Sequence, residues 1–141
     1  MKLGLGKSKQ KDQANATPPE SVASNRLREL SGGDEDLYRA ISRLMFLDPK
    51  KIQTPLDKTL KEAADYEAQG NKLRAEVAYR VAGGISLWRG DLDGVNRYFS
   101  KAASLAGDSR PEYQIIAKKS SEAMAIAGKY YTEFDTTSPP V

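Results

Sequence analysis

An all-α fold is predicted, a compact bundle of four to five helices built from antiparallel helical hairpins. Three observations predict it. Apolar residues recur in steps of three and four along most of the chain, the spacing that lines one face of a helix. Gly70-Asn71 and Gly90-Asp91 each set a helix stop directly before a helix start. Proline follows a capping residue at Thr17-Pro18, at Thr54-Pro55 and near Ser109 in Ser109-Arg110-Pro111, where a helix first turn tolerates it.

Residues 1–16 hold almost no large apolar side chains, so burial cannot offset the entropy of ordering them. They are expected to form a disordered basic tail. Gly6-Lys7-Ser8 resembles the end of a phosphate-binding loop, but its spacing would set the first glycine at Met1, and no strand precedes it. That reading is rejected. A single helical domain is expected over 17–135, and an extended Pro-containing tail over 136–141. Thr17-Pro18-Pro19-Glu20 opens a short helix through Ala23, Leu27 and Leu30, which Gly32-Gly33 ends.

Asp34-Glu35-Asp36 opens a second helix, with acids at its positive end. Leu37, Tyr38, Ile41, Leu44 and Met45 form its buried face, Phe46 and Leu47 widen it, and Asp48-Pro49 stops it. Alternate carboxylates at Asp34 and Asp36 also begin calcium loops, but Tyr38 occupies the next ligand position. Asp91-Leu92-Asp93 fails in the same way at Val95. Capping is the better reading of both, and no metal or other cofactor is expected.

After a loop over 48–54 comes the central stretch. Leu56, Leu60, Ala63 and Ala64 mark one helix, and Leu73, Val77 and Val81 draw a line along the next, with Ala75, Ala78, Ala82 and Ile85 beside it. Leu92, Val95, Phe99, Ala102 and Ala106 mark a third. Gly83-Gly84 falls inside the second of these, from about Lys72 to Arg89. Each glycine there costs about 1 kcal/mol relative to alanine, so close approach of a neighbouring helix is the expected reason, with a kink or an interruption of that helix as the alternative. Pro111 opens a last, unbroken helix through Tyr113, Ile116, Ala117, Ser120, Met124, Ala127, Tyr131 and Phe134.

Residues 56–107 resemble tetratricopeptide-like helical hairpins, which set small residues where paired helices cross and large ones between them. With Gly70 at the turn, Ala63 and Tyr66 fall on the first helix's consensus sites and Ala75, Tyr79 and Ala82 on the second's. With Gly90 at the turn, Tyr79, Gly83, Phe99, Ala102 and Leu105 do so. The chain departs from that family in three ways. The pivots are 20 residues apart, against ~34 for the repeat. Thr59 and Glu62 replace an aromatic and a leucine, and no proline closes either unit. The stretch AADYEAQGNKLRAEVAY is also similar to the three-helix microtubule-interacting-and-transport domain.

Composition excludes several chemistries. The chain has neither Cys nor His. It therefore has no disulfide, no thiolate nucleophile and no imidazole proton shuttle. Its acids sit mostly at helix starts or scattered over predicted exposed faces, so no catalytic residues are assigned and a non-enzymatic protein is expected. The net charge is +3, and residues 1–30 already carry it, six Lys and Arg against three Asp and Glu. The body is neutral. No apolar run approaches the ~20 residues of a membrane span, and MKLGLGKSKQKDQ has no apolar signal region. A cytoplasmic chain that does not engage membranes is expected.

The favoured function is a protein–protein interaction or adaptor module that binds a peptide or partner helix. The tetratricopeptide resemblance implies a concave face that includes Arg80, Leu87 and Trp88 as partner-binding residues. Ordinary core is the competing reading for Leu87 and Trp88. The alternative function is a nucleic-acid or ribonucleoprotein accessory, with Lys2, Lys7, Lys9 and Lys11 forming an arm for phosphate or an acidic partner. Arg97 and Lys101, one turn apart, read as a solvated face. The aromatics Tyr113, Tyr130, Tyr131 and Phe134 suggest a homo-oligomer formed through the last helix.

Overall fold

The computed structural model describes residues 22–44 and 55–134, and all regular structure within them is helical. Seven α-helices follow in order: α1 Val22–Leu30, α2 Glu35–Leu44, α3 Leu56–Ala68, α4 Lys72–Arg89, α5 Leu92–Ala106, α6 Pro111–Lys118 and α7 Ser120–Phe134. The expected start at Thr17, the apolar trio Met45, Phe46 and Leu47, the 48–54 loop and both tails lie outside the described residues.

Helices α3, α4 and α5 form two hairpins that share α4, as the glycine pivots predict. Gly70 and Gly90 have φ of 76° and 75°, a backbone region that side chains with a Cβ resist. Around the first pivot, the Asn71 amide donates to Tyr66 O at 2.9 Å and the Gly70 amide to Glu67 O at 3.0 Å. These two bonds satisfy carbonyls that the end of α3 leaves without helical partners. Asn71 Oδ1 then accepts from the Arg74 amide at 3.2 Å, and Asp91 Oδ1 accepts from the Gly94 amide at 3.1 Å. Each side chain satisfies one open donor of the following first turn.

Small residues set how closely these helices lie. Ala63, Ala75, Ala82 and Ala102 are fully buried. A Cβ added at Gly83 would sit 2.6 Å from Phe99 Cε2, so close helix approach accounts for that glycine. At Gly94 an added Cβ would sit 2.3 Å from Ser86 Oγ on the facing helix. Phe99 continues the core by stacking on Tyr113, ring centroids 6.3 Å apart.

The remaining helices close the bundle. Helix α6 packs on α5 and α2, while α7 packs on α1, α4 and α5. Leu27 buries α1 into the core, and Arg26 Nε donates to Glu133 Oε1 at 2.8 Å, joining α1 to α7. Asp34 does two jobs at the start of α2. Its Oδ1 accepts from the Leu37 amide at 3.1 Å, and its Oδ2 accepts from Lys119 Nζ. The Lys119 ammonium holds the Asp34 carboxyl below its usual range.

Two local expectations need correction. The last helix is two helices, broken at Lys119 (φ −113°, ψ 40°). No glycine or proline stands at the break. Side chains take over the bonds that the helix loses there. Ser120 Oγ donates to Ala117 O at 2.6 Å, and Asn96 Nδ2 of α5 donates to the same oxygen at 2.9 Å. Ser109 does not cap α6. Its hydroxyl instead donates back to Ala106 O at 2.7 Å, across a 3₁₀ turn over Gly107–Ser109. Leu73 and Val77, on the apolar line along α4, are 63% and 47% exposed.

Candidate partner-docking site

The exposure of Leu73 and Val77 follows from how α4 is surrounded. Its narrow face, Ala75 and Ala82, lies fully buried, and α3 and α5 are its chief neighbours. The large side chains at 73, 77 and 81 point about a third of a turn or more away from that seam. They therefore form a second apolar stripe. Leu73, Val77 and Val81 meet Ala78 and Arg74 of α4 and Thr59, Glu62 and Tyr66 of α3 along a groove of 490 Å³. Thr59 is buried, its hydroxyl donating to Pro55 O at 3.1 Å.

The antiparallel hairpin fixes the order of groups along this groove. Near the turn, the Arg74 guanidinium lies 5.8 Å from the Tyr66 ring centroid, within range of a cation–π contact. Glu62 lies one turn further along α3, about 6 Å from that point along the axis. Neither Glu62 nor Arg74 has an ion-pair partner among the described residues. The groove thus has an apolar floor, a cation at one end and an anion one turn away.

A polar seam locks the opposite side of the hairpin. Tyr79 OH donates to Glu67 Oε1 at 2.7 Å, and Lys101 Nζ donates to Glu67 Oε2 at 3.1 Å. Burial, and then the Glu67 carboxylate, push the Tyr79 hydroxyl up to about 12. The Tyr79 hydroxyl, and then Lys101, hold Glu67 below the usual carboxylate range. Lys101 therefore has a structural partner and is not simply solvated, and Arg97 pairs with Asp93.

The residues expected to bind a partner are placed differently. Leu87 and Trp88 are only 6% and 5% exposed. This corrects their assignment to a docking face, because the second half of α4 is enclosed on every side and needs them for packing. Arg80 is half-buried, and its Nη2 donates to Leu44 O at 3.2 Å, where it satisfies the end of α2. Lys2, Lys7, Lys9 and Lys11 lie outside the described residues. In the last helices Tyr113 is core, while Tyr130 and Tyr131 pack edge-to-face at 5.9 Å against the same cluster. The large apolar side chains that stay exposed among the described residues are Leu73, Val77 and Leu92. Two of the three line the α3–α4 groove.

The sequence contains a signal for this groove. Helix α4 has two apolar stripes, one of alanines with Gly83 and one of Leu73, Val77 and Val81. A helix in a thin bundle cannot bury both in its first half, and the stripe of small residues permits the closer approach.

The fold and this groove define an all-helical bundle with an open apolar groove. No protein-family model, curated protein or solved structure matches the chain. Among the described residues, no cluster of acidic side chains could hold a metal ion, and no helix is long and apolar enough to cross a membrane.

Proposed function

We propose that the chain is a non-enzymatic protein-interaction module that takes an amphipathic helix into the α3–α4 groove. The observation that carries this reading is the exposed Leu73–Val77 stripe. Two large apolar side chains one turn apart, over a groove two turns long, match the i, i+4 anchors of a docked helix. Arg74 and Glu62 would set its register by pairing with charges on its polar flank. The tetratricopeptide-like resemblance of the hairpins agrees with a binding role. The polar seam at Tyr79, Glu67 and Lys101 supports it too, because it holds the groove walls in place before a partner arrives.

The test is capture by the immobilised full chain from native lysate, with and without nuclease. Capture is expected to survive nuclease and charge neutralisation of Lys2, Lys7, Lys9 and Lys11, and to be lost in Val77→Glu. Capture that ignores Val77→Glu but disappears with nuclease or with the lysine changes would overturn the groove reading in favour of a nucleic-acid arm.

A further inference from the structure

The charges on the groove are self-complementary, which says what kind of helix fits it. Arg74 lies near the turn and Glu62 one helical turn further away, and neither is paired. A second copy turned end for end about a two-fold axis across α4, midway between Leu73 and Val77, exchanges these two ends. Its Glu62 then faces Arg74, and its Arg74 faces Glu62. The same operation sets Leu73 of each copy beside Val77 of the other. In such an isologous contact every favourable pair occurs twice.

We infer that the helix occupying the groove is α4 of a second copy of this chain, docked antiparallel so that Arg74 of each chain pairs with Glu62 of the other. This rests on the groove being a helix-docking face and names its partner. The site is incomplete without that copy, since Leu73 and Val77 supply both the floor of one groove and the anchors for the other. Arg74 also lies over Tyr66, so the incoming carboxylate would meet a guanidinium already oriented by an aromatic ring.

The experiment is analytical ultracentrifugation of the full chain across a wide concentration range. A concentration-dependent rise from 15.5 kDa toward twice that mass is expected for the native sequence. Val77→Glu should abolish the rise, with circular dichroism checking that the helices are kept. Arg74→Glu and Glu62→Arg should each weaken dimerisation at least tenfold, because each sets two like-charged pairs across the axis. Mixing those two variants should restore the dimer. The introduced acid of one chain then meets the introduced base of the other, and the unchanged Glu62 and Arg74 meet at the opposite end. A native chain that stays monomeric at every concentration overturns the inference, as does a mixture that does not dimerise. A monomeric chain whose lysate capture is still lost in Val77→Glu would leave the docking face standing and remove only the second copy. Loss of neither property in Val77→Glu would remove both.

Discussion

The Tyr113 hydroxyl donates to Glu76 Oε2 at 2.9 Å, joining two buried residues on α6 and α4. Arg110 Nε reaches the same carboxylate oxygen at 2.8 Å. A buried carboxylate is tolerable only when its charge is answered. Glu76 has one cation and one phenol to do so, and both come from the segment that leads into and through α6. This pair therefore fixes α6 against the central hairpins. Tyr113→Phe should destabilise the chain by about 1.5–3 kcal/mol, the usual worth of a hydrogen bond to a charged group. Glu76→Gln in the Tyr113→Phe background should cost less than it does alone. Urea unfolding of the four proteins in this cycle measures the coupling. Additive losses would show that the hydroxyl and the carboxylate do not act together.

The second tyrosine–glutamate pair predicts an alkaline loss of stability. The Tyr79 hydroxyl is pushed up to about 12, chiefly by burial, whereas an unfolded tyrosine titrates near ~10. The folded chain thus holds this proton more tightly than the unfolded chain does. The contribution is intact below pH ~10 and is lost as pH rises toward the folded value. Tyr113 is raised in the same sense by burial and by Glu76, and it steepens the same limb. Urea midpoints followed from about pH 9 to about pH 11.5 should fall. Tyr79→Phe should lower the midpoint at neutral pH and flatten this decline. An undiminished slope in Tyr79→Phe would assign the alkaline loss to other groups.

Gly83 gives a steric prediction with opposing terms. Alanine there would gain about 1 kcal/mol of helix propensity. Its Cβ would however fall 2.6 Å from Phe99 Cε2 and 2.8 Å from two further ring atoms. Phe99 is 1% exposed and stacked on Tyr113, so the ring has nowhere to go. Overpacking of this kind costs about 1–3 kcal/mol, and the clash should win. Gly83→Ala is expected to lower the thermal midpoint, and adding Phe99→Leu should recover part of the loss relative to the sum of the two single changes. Gly83→Ala with an unchanged or higher midpoint would show that α4 and α5 can separate at no cost.

Helix starts and stops were largely legible in the residues, because a glycine at positive φ and a following Asn or Asp act locally. The α4 boundaries and the Gly83 crossing follow from such signals. The break at Lys119 was not legible. It depends on Asn96, more than twenty positions away, supplying a donor to Ala117 O. The exposed apolar groove was hidden for a related reason. Periodicity shows that Leu73, Val77 and Val81 share a face, but not which of two apolar faces the neighbours cover. Trp88 illustrates the converse, since an aromatic assigned to a concave surface is enclosed once α4 has neighbours all round its second half.

That division of α4 predicts opposite responses along one helix. Ile85 is fully buried, whereas Val77, two turns earlier, is 47% exposed. Ile85→Ala should cost about 2–5 kcal/mol, since it removes buried methyl groups and leaves a cavity that the close-packed helices cannot fill. Val77→Ala should stay within about 0.5 kcal/mol of the native chain, as is usual for surface substitutions. Chemical denaturation of the monomeric chain at low concentration reads both, which keeps association from adding to stability. A large loss in Val77→Ala under those conditions would place the stripe in the core. The groove would then belong to packing, and no surface would remain there for a partner helix.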